Sequence, residues 1–251
     1  MNLYRLFSRL GMTACLLAMA VPVAAADSGS ADEWKFDAAL YLWAPSMTIT
    51  PERGDEIKIS FSDILNNLDM SFMGMLGARK GKWSLLADVI YMDLSDDQKG
   101  SREILNQTIN SKVDIEMQAW IVTAAGGYNL VDTGKYSLDL LGGARYLSVE
   151  LPLKFDVGGF QRKVTPSGDV WDGIVGVRGK VDLAENWYLN YYADGGTGDS
   201  ASTWQSLAGL NYQFRKFDAS FGYRYLTWNS SDGEIEDLTV KGPYVGVRFF
   251  F

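Results

Sequence analysis

A two-residue alternation of apolar and polar side chains is the feature that most constrains how this chain folds. Between residues 218 and 228, Ala219, Phe221 and Tyr223 share one face while Ser220 and Arg224 share the other. A period of two is the side-chain period of a β-strand. The alternation recurs in ten runs, at residues 34–44, 70–80, 83–94, 113–128, 136–149, 171–183, 187–195, 203–214, 217–228 and 242–251. These runs predict an all-β fold.

The connections between the runs alternate between short and long. The short ones are residues 81–82, 129–135, 184–186 and 215–216, and the longer ones are residues 45–69, 95–112, 150–170, 196–202 and 229–241. Bacterial outer-membrane barrels have an even number of strands, short periplasmic turns and longer outer loops. We therefore predict a closed antiparallel up-and-down transmembrane β-barrel of ten strands. Merging or splitting one run would change the count to eight or twelve.

Composition excludes several classes of function. The net charge of −8 argues against a nucleic-acid-binding protein, which normally has a basic surface. The chain has no histidine, so it lacks the commonest general base and the commonest metal ligand. A Ser-His-Asp triad is impossible, and a zinc site would have to be built from carboxylates alone. We therefore predict a protein without enzymatic activity, metal or cofactor.

The first 26 residues have the pattern of a secretory signal peptide. Arg5 and Arg9 are followed by an apolar stretch at residues 10–23, and Ala24, Ala25 and Ala26 form a small-residue cleavage site. The alternative is a membrane anchor, but the apolar stretch is shorter than the ~20 residues that a helical span needs. Cleavage before Asp27 would leave residues 27–251 as the barrel domain, and would remove the single cysteine, Cys15.

Seven of the eight tryptophans lie near the ends of the predicted strands. Tryptophan prefers the boundary between water and hydrocarbon, so rings of it at both strand ends predict membrane-interface girdles. Trp34, Trp83 and Trp187 would form the ring at the short-turn end, and Trp43, Trp171, Trp204 and Trp228 the ring at the long-loop end. Trp120 falls in mid-strand. The alternative is the aromatic core of a soluble β protein.

The polar faces of the strands carry charges of both signs. They must point into the barrel, because an arginine on the lipid face costs ~2–4 kcal/mol at the midplane. The predicted lumen residues are Asp37, Arg79, Asp88, Asp139, Arg145, Arg178, Lys180, Asp182, Asp194, Arg224 and Arg248. They form either a salt-bridge network that fills the lumen or the lining of a passage. Near balance of the two signs favours pairing, and ten strands enclose little more space than side chains fill.

Several stretches resemble known outer-membrane proteins. Phe249 and Phe251 end the last strand on one face, which resembles the assembly signal of bacterial outer-membrane β-barrels. Residues 171–179, 203–205 and 222–226 resemble a family of small outer-membrane barrels of unassigned function. The resemblance implies a bacterial outer-membrane location. It also implies contact with membrane lipid and lipopolysaccharide, and recognition of the C-terminal strand by the barrel-assembly machinery.

Three functions remain open from the sequence. The first is a non-enzymatic outer-membrane barrel with a largely filled, charge-networked lumen and a structural or loop-mediated role. The second is a narrow passive channel for ions or small solutes. The third is a soluble periplasmic barrel that binds an apolar ligand, which would require Asp37, Arg178 and Arg224 to face outward.

Overall fold

A computed structural model of the chain describes residues 33–51, 56–66, 68–104, 107–150, 153–157, 160–164, 167–230 and 235–251. The predicted signal peptide and its cleavage site lie outside these residues. The ten barrel strands are β1 (Lys35–Trp43), β4 (Leu68–Lys80), β5 (Trp83–Ile104), β6 (Gln107–Asp132), β7 (Tyr136–Glu150), β10 (Ser167–Ala184), β11 (Trp187–Gly198), β12 (Ser202–Gln213), β13 (Phe217–Asn229) and β14 (Ile235–Phe250).

Each barrel strand pairs antiparallel with the next along the chain, and the last returns to the first. In this closing pair, Asp37 of β1 lies opposite Phe250 of β14, and Trp43 lies opposite Tyr244. A closed sheet pairs its backbone groups around the whole barrel, which is what a strand-built membrane span requires. The predicted ten-stranded up-and-down barrel is confirmed.

The longer connections differ from the prediction, which placed loops at residues 95–112 and 150–170. Strands β5 and β6 remain paired as far as Ile104 opposite Gln107. Two short strands, β8 (Leu153–Val157) and β9 (Phe160–Val164), extend the sheet from β6. The alternation criterion missed the pairing within residues 95–112 because backbone pairing needs no apolar face and these residues are mostly polar; β8 and β9 are only five residues each, shorter than every run that the criterion used.

The connection between β1 and β4 also contains regular structure. Strand β2 (Ser46–Pro51) pairs with β14 beyond the end of β1, β3 (Ile57–Ile59) pairs with β2, and α1 (Phe61–Asn66) follows. Ser60 caps α1, since Asp63 N donates to Ser60 Oγ at 3.3 Å and Ser60 N donates to Asp63 Oδ2 at 3.1 Å. Hydrogen bonds from Ser60 lower the pKa of Asp63.

The outer surface of the barrel is apolar. Val175 is 69% exposed, and Leu40, Leu76, Leu85 and Phe221 are exposed with it. Each lies on the strand face opposite the predicted charges, because side chains alternate along a strand. In the described part of the chain, no helix is both long and apolar enough to cross a membrane.

Candidate functional site: the lumen of the barrel

The lumen is the chain's candidate site, because strand alternation places all of the predicted charges on its inner face. Asp88, Asp139, Arg145, Asp194 and Arg224 are buried. The remaining charges lie nearer the short-turn end and are partly accessible: Asp37, Arg79, Arg178, Lys180, Asp182 and Arg248. These residues do not form one network, and the lumen divides into three levels.

The middle level contains Arg224, whose guanidinium crosses the lumen from β13 to β5. Arg224 Nη2 donates to Asp88 Oδ2 at 2.7 Å and to Gln205 Oε1 at 2.8 Å. Nη1 donates to the Tyr41 hydroxyl at 2.9 Å, and that hydroxyl donates to Asp88 Oδ1 at 2.6 Å. The guanidinium carbon also lies 5.1 Å from the centroid of the Trp43 ring, within cation–π range.

A second buried arginine, Arg145, lies at the same middle level. It is an ion-pair partner of Asp194, and its Nη1 donates to Thr203 Oγ1 at 3.1 Å. Tyr192 donates to the same Asp194 carboxylate. Buried charges persist only when they are paired and hydrogen-bonded, so these two clusters close the middle of the lumen with polar contacts. Sequence reasoning identified the charges but missed Tyr41, Gln205 and Thr203, although all three share the inward parity.

The level towards the long connections is apolar, and we call its buried side chains the plug. The plug consists of Trp43, Met47, Ile64, Met73, Ile90, Met92, Leu94, Met117, Ile121, Leu147, Leu226, Trp228, Val240 and Tyr244. Ile64 comes from α1 and Met47 from β2, so the connection between β1 and β4 fills this end of the barrel. Four methionines contribute, and their unbranched side chains suit an irregular space. One sequence feature could have predicted the plug. On β5, the inward positions that follow Asp88 towards the long connection are apolar: Ile90, Met92 and Leu94.

The level towards the short turns is open. A cavity of about 600 Å³ extends from Asp132 and Asn186, at the short-turn end, inward to Asp88 and Arg224. Of the plug residues, only Tyr244 lines this cavity in the described part of the chain. The prediction of a largely filled lumen is therefore wrong for this half, and the filled half is packed mainly by apolar side chains rather than by charges. Sequence alternation specifies which side chains face inward but not how they divide the space.

The cavity wall carries several of the predicted charges in smaller groups. Arg79 Nη2 lies 2.5 Å and Arg178 Nε 3.2 Å from the same atom, Asp139 Oδ2. Asn129 Nδ2 donates to the other Asp139 oxygen at 2.8 Å. The two remaining pairs are Arg248 with Asp37 at 3.5 Å and Lys180 with Asp182 at 3.3 Å.

The tryptophans lie on both faces of the barrel, which corrects part of the predicted girdle. Trp43 and Trp228 are each 4% exposed and belong to the plug. Trp43 alternates in step with Tyr41, and Trp228 with Arg224, so both side chains point inward. Nearness to a strand end was therefore the wrong criterion for placing them at the membrane interface. The other predicted girdle residues are exposed: Trp34, Trp83, Trp171, Trp187 and Trp204. Trp120, which the prediction left in mid-strand, is also exposed, because its side chain alternates with the buried Ala119 and Ile121 and points outward.

Five of the outward tryptophans pack against tyrosines of neighbouring strands, in two belts. Towards the long connections, the ring centroids of Tyr91 and Trp120 are 4.5 Å apart, those of Tyr146 and Trp171 4.6 Å, and those of Trp204 and Tyr225 4.5 Å. Towards the short turns, the rings of Trp83 and Tyr128 meet edge to face at 5.0 Å, and those of Trp187 and Tyr212 do so at 4.9 Å. Such aromatic pairs stabilise adjacent strands beyond their burial.

The two belts are separated by the same number of residues on three strands. The interval on β5 is 91 − 83 = 8 residues, and β6 (Trp120 to Tyr128) and β12 (Trp204 to Tyr212) repeat it. At ~3.4 Å per residue and a tilt of ~40°, eight residues span ~21 Å along the barrel axis. This height is close to the ~25 Å apolar band of transmembrane barrels.

Comparisons with known proteins show neither a family nor a function for this chain. No family model matches the chain, and no curated protein matches its sequence. Similar solved structures include the translocator domain of the autotransporter NalP from Neisseria meningitidis, with 13% identity over 89% of this chain and 90% of that one and a TM-score of 0.46. The outer membrane protease OmpT from Escherichia coli has 10% identity over 90% and 99%, with a TM-score of 0.48. Likeness at this level says nothing about what this chain does.

Proposed function

We propose that this chain is an integral β-barrel protein of the bacterial outer membrane, without enzymatic activity, that does not conduct solutes. Its contribution to the envelope is structural or is made through the strands that extend beyond the barrel. The single observation that carries the membrane location is the apolar outer band between two belts of packed tryptophan–tyrosine pairs.

The orientation of the strands supports this location over a soluble barrel. On the described strands, the outward positions between the belts carry no charged residue, whereas Arg178 and Arg224 lie inside. A soluble barrel with an apolar ligand would need the opposite arrangement. An exposed apolar surface of this extent marks a contact with lipid or protein, and a band that encircles a closed barrel fits lipid.

The contents of the lumen support a barrel that does not conduct. A solute that enters at the short turns meets the Arg224 and Arg145 clusters at mid-barrel and the plug beyond them. Passage would require breaking buried ion pairs and displacing close-packed apolar side chains, both of which are costly. A narrow channel is the second candidate function, because half of the lumen is open. Conduction would require the plug to move out of the other half.

Adjacent positions on β13 test the membrane location. Removal of Cys15 with the signal segment leaves no cysteine, so Phe221→Cys and Ser220→Cys each introduce a single label site. A spin label at 221 should be accessible to oxygen dissolved in lipid, and one at 220, which lines the cavity, to a water-soluble relaxation agent. The proposal fails if both labels are water-accessible or if the two positions are reversed.

Planar-bilayer recording tests whether the barrel conducts. Purified protein inserted beside a porin as positive control should produce no steady current steps, because the middle level and the plug close the lumen. Heat-modifiable gel mobility of the same preparation establishes that the inserted protein is a closed barrel. Reproducible unit steps from the folded protein would favour the channel instead.

A further inference from the structure

Arg79, Arg178 and Arg248 lie together on the wall of the cavity at the short-turn end, and we call them the arginine trio. Two of them share one acceptor, so Arg79 Nη2 and Arg178 Nε are at most 2.5 + 3.2 = 5.7 Å apart. Arg178 lies within the electrostatic influence of both of the others. Two positive charges as close as those of Arg79 and Arg178 repel one another unless an anionic group lies between them, and Arg248 adds a third positive charge to the same cavity wall.

The trio has far more hydrogen-bond donors than acceptors to receive them. A guanidinium carries five N–H donors. Among the described residues, Arg79 and Arg178 each donate to Asp139 alone, and Arg248 has only its 3.5 Å ion pair with Asp37. The side chains of Arg79, Arg178 and Arg248 are 39%, 21% and 32% exposed, so their unused donors face the cavity.

The nearby carboxylates are engaged by the protein. Asp139 is only 2% exposed and receives Asn129 as well as two arginines. Asp182 is paired with Lys180, Asp37 is paired with Arg248, and Asp218 is buried and accepts from Tyr188 through one of its two oxygens. The cavity wall carries six carboxylates against five basic side chains, so its formal charge is close to balanced, and the unused N–H groups of the trio are donors that face the cavity. A ligand for this wall must supply acceptor oxygens.

From this geometry we infer that the cavity is a binding site for a small molecule carrying a phosphate or sulfate group, which enters from the short-turn end and is held by Arg79, Arg178 and Arg248. A tetrahedral oxyanion offers several acceptor oxygens and matches the planar fork of a guanidinium. A volume of about 600 Å³ lies within the range of small-molecule sites. The inference goes beyond the proposed function and does not depend on membrane location.

Calorimetric titration of the folded protein in detergent tests the site, with inorganic phosphate and inorganic sulfate as probes at low ionic strength. We expect saturable binding that Arg178→Gln or Arg79→Gln weakens at least ~10-fold, as the loss of a charged hydrogen bond predicts. Lys82→Gln is the matched control, because Lys82 lies in the exposed turn after Arg79 and does not line the cavity. The affinity of the Lys82→Gln variant for phosphate and sulfate should equal that of the original protein.

A second variant shifts binding in the opposite direction. Asp139→Asn removes the charge that Arg79 and Arg178 share, so the oxyanion should bind more tightly than to the original protein. Heat-modifiable mobility identifies which variants retain the closed barrel. Absence of binding by the folded protein, or equal weakening by Lys82→Gln and Arg178→Gln, would overturn the inference. Neither result bears on membrane insertion, which the labels on β13 test separately.

Discussion

Arg224 and Asp88 form an ion pair across the barrel, with Arg224 Nη2 2.7 Å from Asp88 Oδ2. The two residues lie 136 positions apart in the chain, on β13 and β5. Both are buried, so each is stable in its charged form only because the other is present. The pair also separates the open cavity from the plug, since Trp43 lies directly against the guanidinium.

Breaking this pair should destabilise the barrel strongly. Arg224→Met or Asp88→Leu alone should each cost about 3–5 kcal/mol, because either leaves an uncompensated buried charge. The double variant should recover much of that loss. Urea unfolding from lipid vesicles measures the three free energies. Additive losses in the double variant would show that the two side chains do not depend on each other.

A charge on the outer surface should oppose insertion. Val175 lies on β10 in the middle of the apolar band, so Val175→Arg should reduce folding into vesicles by about 2–4 kcal/mol. Glu185→Arg places the same side chain in the exposed turn that follows β10 and serves as the control. Fractions folded, read from heat-modifiable mobility across a urea series, give the difference. If the two variants fold equally well, Val175 does not face hydrocarbon.

Glycine at position 222 should be required by the backbone of the neighbouring strand β12 and by Tyr244, which both approach it closely. A Cβ on Gly222 would lie 2.7 Å from Tyr244 Cε1 and would also meet the backbone of Ala208. Gly222→Ala should therefore destabilise the barrel by about 1–3 kcal/mol through overpacking. Gly142→Ala is the matched control, because a Cβ there meets nothing within 4 Å. Thermal midpoints in one detergent should fall for the first variant and stay level or rise for the second.

Two tryptophans should differ in their contact with lipid. Trp120 stacks on Tyr91 at the outer surface, whereas Trp43 is enclosed in the plug. Trp120→Phe should remove fluorescence that lipid-borne bromine atoms quench, and Trp43→Phe should remove fluorescence that they leave intact. Quenching titrations of the two variants in brominated vesicles measure this difference. Equal changes in the quenched fraction would contradict the assignment of Trp43 to the interior.

Much of the fold follows from the sequence alone, because alternation is a local property of each strand. The parity of Phe221 and Arg224 assigned each to its face, and the ten runs predicted ten strands. The alternation also places Trp43 and Trp228 on the inward face, but the prediction assigned them to the girdle because they lie near strand ends. The extension of β5 beyond Leu94 has no apolar face, so its pairing left no signal in hydrophobic periodicity, whereas β8 alternates through Leu153, Phe155 and Val157 but is only five residues long.

The division of the lumen was decided by tertiary structure. Which inward charge meets which partner depends on strand register and barrel curvature, and these bring Arg224 to Asp88 and Arg145 to Asp194 from strands that are not neighbours. The same geometry gathers the arginine trio around an open cavity and lets α1 complete the plug. The sequence thus determined the direction in which each side chain points. Only closure of the sheet determined what it meets there, because contacts across a barrel join residues far apart in the chain.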